Sequence, residues 1–276
     1  MPFKRIGRQG FCSIADTLAK ALSVFAIMAS VLLCSCATAP VVPSPQHQAI
    51  VDALPDGYRI AVLSLIGNEL EMYKEGFTNL DSSIKQVDVS AWKMDDFVTE
   101  AVKNMITRKL SVAGSFDSSK FVYSKKPKTI PSVNRAYRGI SREDSGISSI
   151  VGKNRKAFTD VSRNVDGVLV IAPGSAPYQD FKWHLYNYGM HRNTIYALST
   201  TSSFCAVELQ LIDAKAWRTI MKSSVPTIVE GVDNTYWIQD LQSARKEEVD
   251  ALERVVKNRV RQQIEQHLRS MALTAN

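Results

Sequence analysis

The stretch SSFCAVELQLIDAKAWRTIMKSSV, residues 202–225, decides the fold. It belongs to a long uninterrupted run, Ile195–Asp213, rich in Thr, Val and Leu. At its far end Val207, Leu209 and Leu211 alternate with Glu208, Gln210 and Ile212, the two-residue period of a strand. Ala214-Lys215-Ala216 then turns the chain, and Trp217–Val225 returns as the second arm of a hairpin. Downstream, Leu252, Val256, Val260, Ile264 and Leu268 repeat at i+4 with charged and amide residues between them. Val249, Val255 and Met271 widen that stripe, so a long amphipathic helix closes the chain and docks on the sheet by its apolar face. Self-association of this helix as a coiled coil is the alternative, although strict i+4 steps drift away from a heptad seam.

Upstream, Tyr58–Ile66 is a short β-rich apolar run, read as a strand buried on both faces. Gly67-Asn68 marks a turn, Leu70–Thr78 a pairing strand, and Ile84, Val87 and Val89 a further short one. Ser90 as N-cap, with Asp95 and Asp96 behind it, opens an amphipathic helix whose apolar positions run from Trp92 to Leu110 and which Gly114 ends. Phe121–Ser124 suggests a short strand, Lys125–Arg142 a basic loop, and Ile147–Val165 a looser helix. Gly167–Ala172, GVLVIA, has no polar side chain and belongs at the centre of the sheet. These elements predict an α/β (α+β) domain: a mixed sheet, an amphipathic helix after the first strands, and the long C-terminal helix.

The chain has 276 residues and a formal net charge of +7. Lys4, Arg5, Arg8 and Lys20 against Asp16 give the first 35 residues +3, so the remainder carries a mild +4 without a dense basic run. That excludes a strong nucleic-acid footprint. Residues 21–33, ALSVFAIMASVLL, are apolar without a break but span only about 20 Å as a helix, short of a bilayer core. A charged start, a short apolar centre and small residues after it describe a secretory signal peptide. Leu33-Cys34-Ser35-Cys36 resembles the lipobox of bacterial lipoproteins, with Cys36 as the residue after the cut. A plain secretory cut at Ala37-Thr38-Ala39, or an uncleaved anchor, is the competing reading. The resemblance implies residues 1–35 as a cleaved signal peptide and a diacylglyceryl and palmitate-type acylation on Cys36. Two or more chains anchor durably. Ala37, where the family carries Asp for inner-membrane retention, implies the periplasmic face of the outer membrane.

Residues 36–56 then read as a lipidated, proline-rich tether, in which Pro40, Pro43 and Pro45 favour extended backbone, and residues 57–276 as one periplasmic domain. Cys205 is left as a single protein thiol in a strand, expected to be free and buried.

A P-loop, a Rossmann glycine fingerprint, G-x-S-x-G and H-E-x-x-H are all absent from the sequence. Ala172–Pro177 reads as a strand-ending turn. His184, His191 and Asp180 follow no metal-ligand spacing, so neither metal nor cofactor is expected. The most unusual stretch is Tyr178–Tyr196. Its Tyr178, Phe181, Trp183, Tyr186, Tyr188 and Arg192 are the residue types of interface hot spots, and they are the candidate partner-binding residues. The competing readings fold this run over the sheet and bury it, or give it to contact with a glycan or lipid.

The hairpin AVELQLIDAKAWRTI and the opening Ile60-Ala61-Val62 resemble periplasmic domains of the curli-secretion lipoprotein and of lipoproteins that activate penicillin-binding proteins. Those families commonly place Thr-Gly after the hairpin Lys, where this chain has Ala216-Trp217. The resemblance implies an adaptor, assembly or regulatory role in the cell envelope. Another envelope protein is then the expected partner, and no catalytic residue is expected. An envelope hydrolase or transferase with scattered site residues, and a homo-oligomeric structural lipoprotein, are the alternatives.

Overall fold

The computed structural model describes residues 41–76, 81–107, 109–117, 156, 159, 162–177, 184–194 and 199–274. They form one unit with a mixed sheet and three helices. Strand β1 (Tyr58–Ser64) lies between β4 (Leu110–Ser115) and β5 (Gly167–Pro173), parallel to both. Strand β2 (Glu69–Glu75) lies between β3 (Ser83–Asp88), antiparallel, and β7 (His184–Asn193), parallel. The fourteen-residue β8 (Thr200–Asp213) joins the two groups. Its first half pairs with β7 (Tyr188↔Cys205) and its second half with β5 (Ile171↔Leu209), both antiparallel. Strands β9 (Thr219–Lys222) and β10 (Ile228–Val232) follow the other flank of β8 in nearly one register, Gln210↔Lys222 and Ile228↔Cys205. Between β5 and β7, the three-residue β6 (Ser175–Pro177) pairs with the start of β7.

Alternation along these strands makes two faces. Ile60, Val62, Leu169, Ile171, Cys205, Val207, Leu209 and Leu211 point to one side. There they meet Met94, Val98 and Val102 of α2 (Met94–Met105) and Leu252, Val256, Val260, Ile264 and Leu268 of α3 (Lys246–Ser270). Every residue of that α3 stripe is essentially sealed from solvent. Burial of its side chains contributes roughly 1.5–3 kcal/mol each. The stripe is therefore consumed by the sheet, and the coiled-coil alternative would compete with the core for the same side chains. Ala61, Leu63, Leu65, Val168, Val170 and Ile212 are buried on the opposite side.

The expected α/β architecture is what the chain adopts, with four local differences. The helix expected from Trp92 to Leu110 is divided. Ser90–Trp92 is a 3-10 turn capped by Asp88, Lys93 takes a left-handed conformation (φ 49°), and α2 begins at Met94. It ends at Met105 because Ile106 bridges Thr274 and the Thr107 amide donates to the Leu273 carbonyl. Leu110 and Gly114 then belong to β4. Part of the expected extended tether is helix α1 (Pro45–Ala53). Ser44 caps it, with its hydroxyl accepting the His47 amide, and Pro45 occupies the first turn, where its missing N–H costs nothing. The aromatic run contains a ten-residue strand, β7, inside the sheet. Strand β10 was not foreseen. The expected elements at 121–124 and 125–142 lie outside the described residues, as does most of the helix expected over 147–165, where Ser162–Asn164 forms a 3-10 turn.

Candidate functional site

Strand β7 carries the described part of the aromatic run. Tyr188 is fully buried; its phenol donates to the Gly67 carbonyl at 2.9 Å and its ring packs in the helix-side core. As a core residue it is not available to a partner. Tyr186 and Arg192 are partly exposed. Burial, then Glu71, Glu69 and Glu208, hold the Tyr186 phenol above its ordinary range, so it stays protonated among carboxylates. Arg192 donates from Nη2 to Ser199 Oγ at 3.2 Å and sits 6.0 Å from the ring centre of Trp237, in the connection between β10 and α3. A guanidinium over an indole is a cation–π pair worth about 0.5–1 kcal/mol at an exposed site. The two residues are six apart, about 20 Å along the strand. One end of the described strand thus carries a phenol in an acidic surround, beside Glu71 and Glu208 on the sheet side away from α3, and the other a cation on an indole that packs against the α3-side core. Tyr178, Phe181, Trp183 and Cys36 lie outside the described residues.

Around β7 the sheet holds buried polar groups. Glu71 accepts from Gln86 Nε2 at 2.6 Å. His191 Nε2 lies 3.3 Å from Glu75 Oε2, and desolvation pushes its pKa down to about 4. Tyr73 meets Phe204 edge to face at 5.5 Å. Asn187, in mid-strand with a left-handed φ of 60°, donates from Nδ2 to the Ile66 carbonyl at 2.8 Å. Its Oδ1 is buried without a partner.

A serine–histidine contact exists elsewhere. His267 Nδ1 is 2.8 Å from Ser223 Oγ, and Gln263 Nε2 is 3.1 Å from His267 Nε2. Gln263 has its amide fixed, because Oε1 accepts the Ile228 amide and Nε2 donates to the Pro226 carbonyl. Its NH2 group thus faces His267, Nε2 of the ring must accept, and Nδ1 carries the proton. The imidazole donates to Ser223 rather than taking its proton, the reverse of a catalytic pair. Both side chains are buried, which makes the contact a structural clamp between α3 and β9. Position 267 lies on the same helical stripe as Ile264 and Met271; that spacing was the sequence signal for its burial.

A shallow pocket of about 250 Å³ is lined by Pro55, Asp56, Tyr58, Asp166, Asp213 and Lys215. The Tyr58 hydroxyl donates to the Asp166 carbonyl, and its pKa is pushed up to about 12, by burial first and then by Asp213 and Asp166. Asp166 caps the Arg59 amide and Asp213 caps those of Lys215 and Ala216, so these two carboxylates already serve the backbone. Among the described residues no three His, Cys, Asp or Glu side chains converge as a metal site, and no helix is long and apolar enough to cross a membrane. Cys205 is free and buried, and burial raises its thiol well above the ordinary range.

No family model and no curated protein matches the sequence. Several solved structures are distantly similar. A Xanthomonas campestris protein of the DUF330 family shares 10% identity at a TM-score of 0.36, over 86% of this chain and 92% of that one. A putative neuraminyllactose-binding hemagglutinin homologue from Helicobacter pylori shares 12% at 0.31, over 86% and 94%. A hypothetical protein from Chlamydia trachomatis shares 10% at 0.31, over 77% and 98%.

Proposed function

We propose that this chain is a lipoprotein held to the periplasmic face of the outer membrane through Cys36, whose α/β domain binds or regulates another envelope protein without catalysing a reaction. The observation that carries this reading is Leu33-Cys34-Ser35-Cys36 directly behind thirteen apolar residues and a basic start. The partly exposed groups of β7, Tyr186 and Arg192 with Trp237, support the binding role, since Tyr, Trp and Arg dominate interface energetics. The fit of His267 to a structural clamp supports it as well, because the one contact between an imidazole and a serine hydroxyl among the described residues has its proton on the wrong nitrogen for nucleophile activation.

The test is metabolic labelling with a fatty acid followed by crosslinking and purification from membranes, with Cys36→Ala as control. A labelled product that captures a defined envelope protein supports the reading. An unlabelled product still carrying residues 1–35 removes its basis.

A further inference from the structure

The chain between Cys36 and the folded body is short, and its composition is unusual for a spacer. Helix α1 is part of the body. Val51 is buried in the core, His47 Nδ1 donates to the Ser270 carbonyl at 2.7 Å, and Lys109 Nζ donates to the Asp52 carbonyl at 2.7 Å. The helix begins at Pro45 behind its cap Ser44, and Val42 is six residues from Cys36, at most about 22 Å of extended backbone. Residues 37–51 contain no Asp, Glu, Lys or Arg. Val42 is 76% exposed and is the one exposed large hydrophobic side chain among the described residues. A single exposed valine is ordinary on a protein surface. One placed this close to an acylated cysteine, in a charge-free stretch flanked by partly exposed Val41 and Pro43, is within reach of the bilayer interface.

We infer that Val41–Pro43, at the start of α1, is a membrane-docking surface that inserts at the headgroup–acyl boundary of the leaflet holding the Cys36 acyl chains. The inference rests on the lipidation proposed above. Apolar side chains entering that boundary add to the anchoring of the acyl chains. Because α1 is fixed to the Ser270 end of α3, docking also sets the polarity of the domain. The C-terminal end of α3 faces the membrane. Its Lys246 end lies about 36 Å further along the helix axis, away from the α1 contact.

The experiment uses the mature acylated chain in lipid nanodiscs, with an environment-sensitive fluorophore at Val42→Cys or at Ser243→Cys in separate samples. The label at 42 is expected to shift to the blue and to be quenched by a lipid-borne quencher, while the label at 243 does neither. Limited proteolysis with unlabelled protein supplies a second readout: cleavage at residues 41–44 is expected to be suppressed on vesicles and restored by Val42→Asp. A label at 42 as water-exposed as that at 243 overturns the inference. So does protection that depends on protein density at constant lipid, which would assign the surface to a second copy. If mass spectrometry shows Cys36 acylated while position 42 stays in water, only the docking surface falls. If Cys36 carries no lipid, the proposed function falls with it.

Discussion

His267 donates from Nδ1 to Ser223 Oγ at 2.8 Å, and Ser223 Oγ lies 2.5 Å from Ser270 Oγ, which itself donates to the His267 carbonyl. The neutral ring is thus held by Gln263 on one side and Ser223 on the other, with Ser270 bracing Ser223, and burial pushes its pKa down to about 4. A proton on Nε2 would face the Gln263 NH2 group. The unfolded histidine titrates near 6.5, so below that pH the unfolded chain binds the extra proton and the folded one does not. Stability contributed by this ring is present above about pH 6.5 and is lost progressively as pH falls toward 4. Buried His191 is depressed in the same direction. Urea unfolding at pH 7.5, 6 and 5 is expected to show a falling midpoint, on the order of 3 kcal/mol per ring across the whole window. A His191→Gln/His267→Gln double variant should flatten the slope. An unchanged slope would contradict the assignment.

Arg259 is the buried cation of α3. It donates from Nε to Ser203 Oγ at 3.1 Å, pairs with Glu230 of β10, and holds Gln262 at 2.6 Å. The Glu230 side chain is 59% exposed, so removing the arginine does not strand a buried carboxylate. Arg259→Ala should therefore cost roughly 2 kcal/mol, from the lost hydrogen bonds and packing, rather than the larger penalty of an orphaned buried charge. Chemical denaturation measures it. Val256→Asp places a carboxylate in the core under α3 and should cost on the order of 4 kcal/mol or more. Loss of self-association in that variant would consequently report unfolding, not a broken interface.

Gly189 pairs with Glu71 across β2 and β7, and a Cβ there would run into the Glu71 carbonyl and the Phe204 ring. Gly189→Ala is expected to push the two strands apart and to lower stability by roughly 1–3 kcal/mol. Calorimetry should show a clear fall in Tm. A neutral result would mean that the β2–β7 register differs from Glu71↔Gly189.

Cys205 is sealed under Arg259 and α3, and its thiol is held neutral by burial. Under the proposed processing, which would remove Cys12 and Cys34 and leave Cys36 as a thioether, an aromatic disulfide reagent should find no reactive thiol in the folded protein and one after denaturation. Rapid labelling of the native protein would contradict the burial.

Strands with one clean period were legible in the sequence. Tyr58–Ser64, Gly167–Pro173 and the β8–β9 hairpin stand where alternation and apolar runs put them, and α3 stands where its i+4 stripe put it. The α2–β4 boundary was not legible, because Leu110 continues the helical spacing from Ile106 and only a contact with residues 273–274 ends the helix. Helix α1 was hidden by its prolines, although Ser44-Pro45 is also a good helix start. In β7, aromatic and polar residues on both faces of a buried strand masked the two-residue period, because near this strand the sheet side opposite α3 buries Glu75 and His191 beside Leu185 and Phe204. At the hairpin, Trp217 takes the left-handed conformation (φ 55°), which glycine adopts most readily. The turn is held in this conformation because Asp213 caps two amides and its carbonyl accepts the Trp217 N–H.

Tyr188 and Arg192 separate the core role of β7 from its surface role. Tyr188→Phe removes one buried hydrogen bond, to the Gly67 carbonyl, and should destabilise the domain by about 1 kcal/mol while leaving capture of an envelope partner unchanged. Arg192→Ala removes a partly exposed guanidinium from Trp237 and Ser199 and should cost under about 1 kcal/mol in stability. Its expected effect is on binding, seen as reduced crosslinking to the partner at equal expression, with Arg192→Lys rescuing only in part because lysine lacks the planar group that stacks on an indole. Equal capture by the wild type and Arg192→Ala would remove this end of β7 from the binding surface.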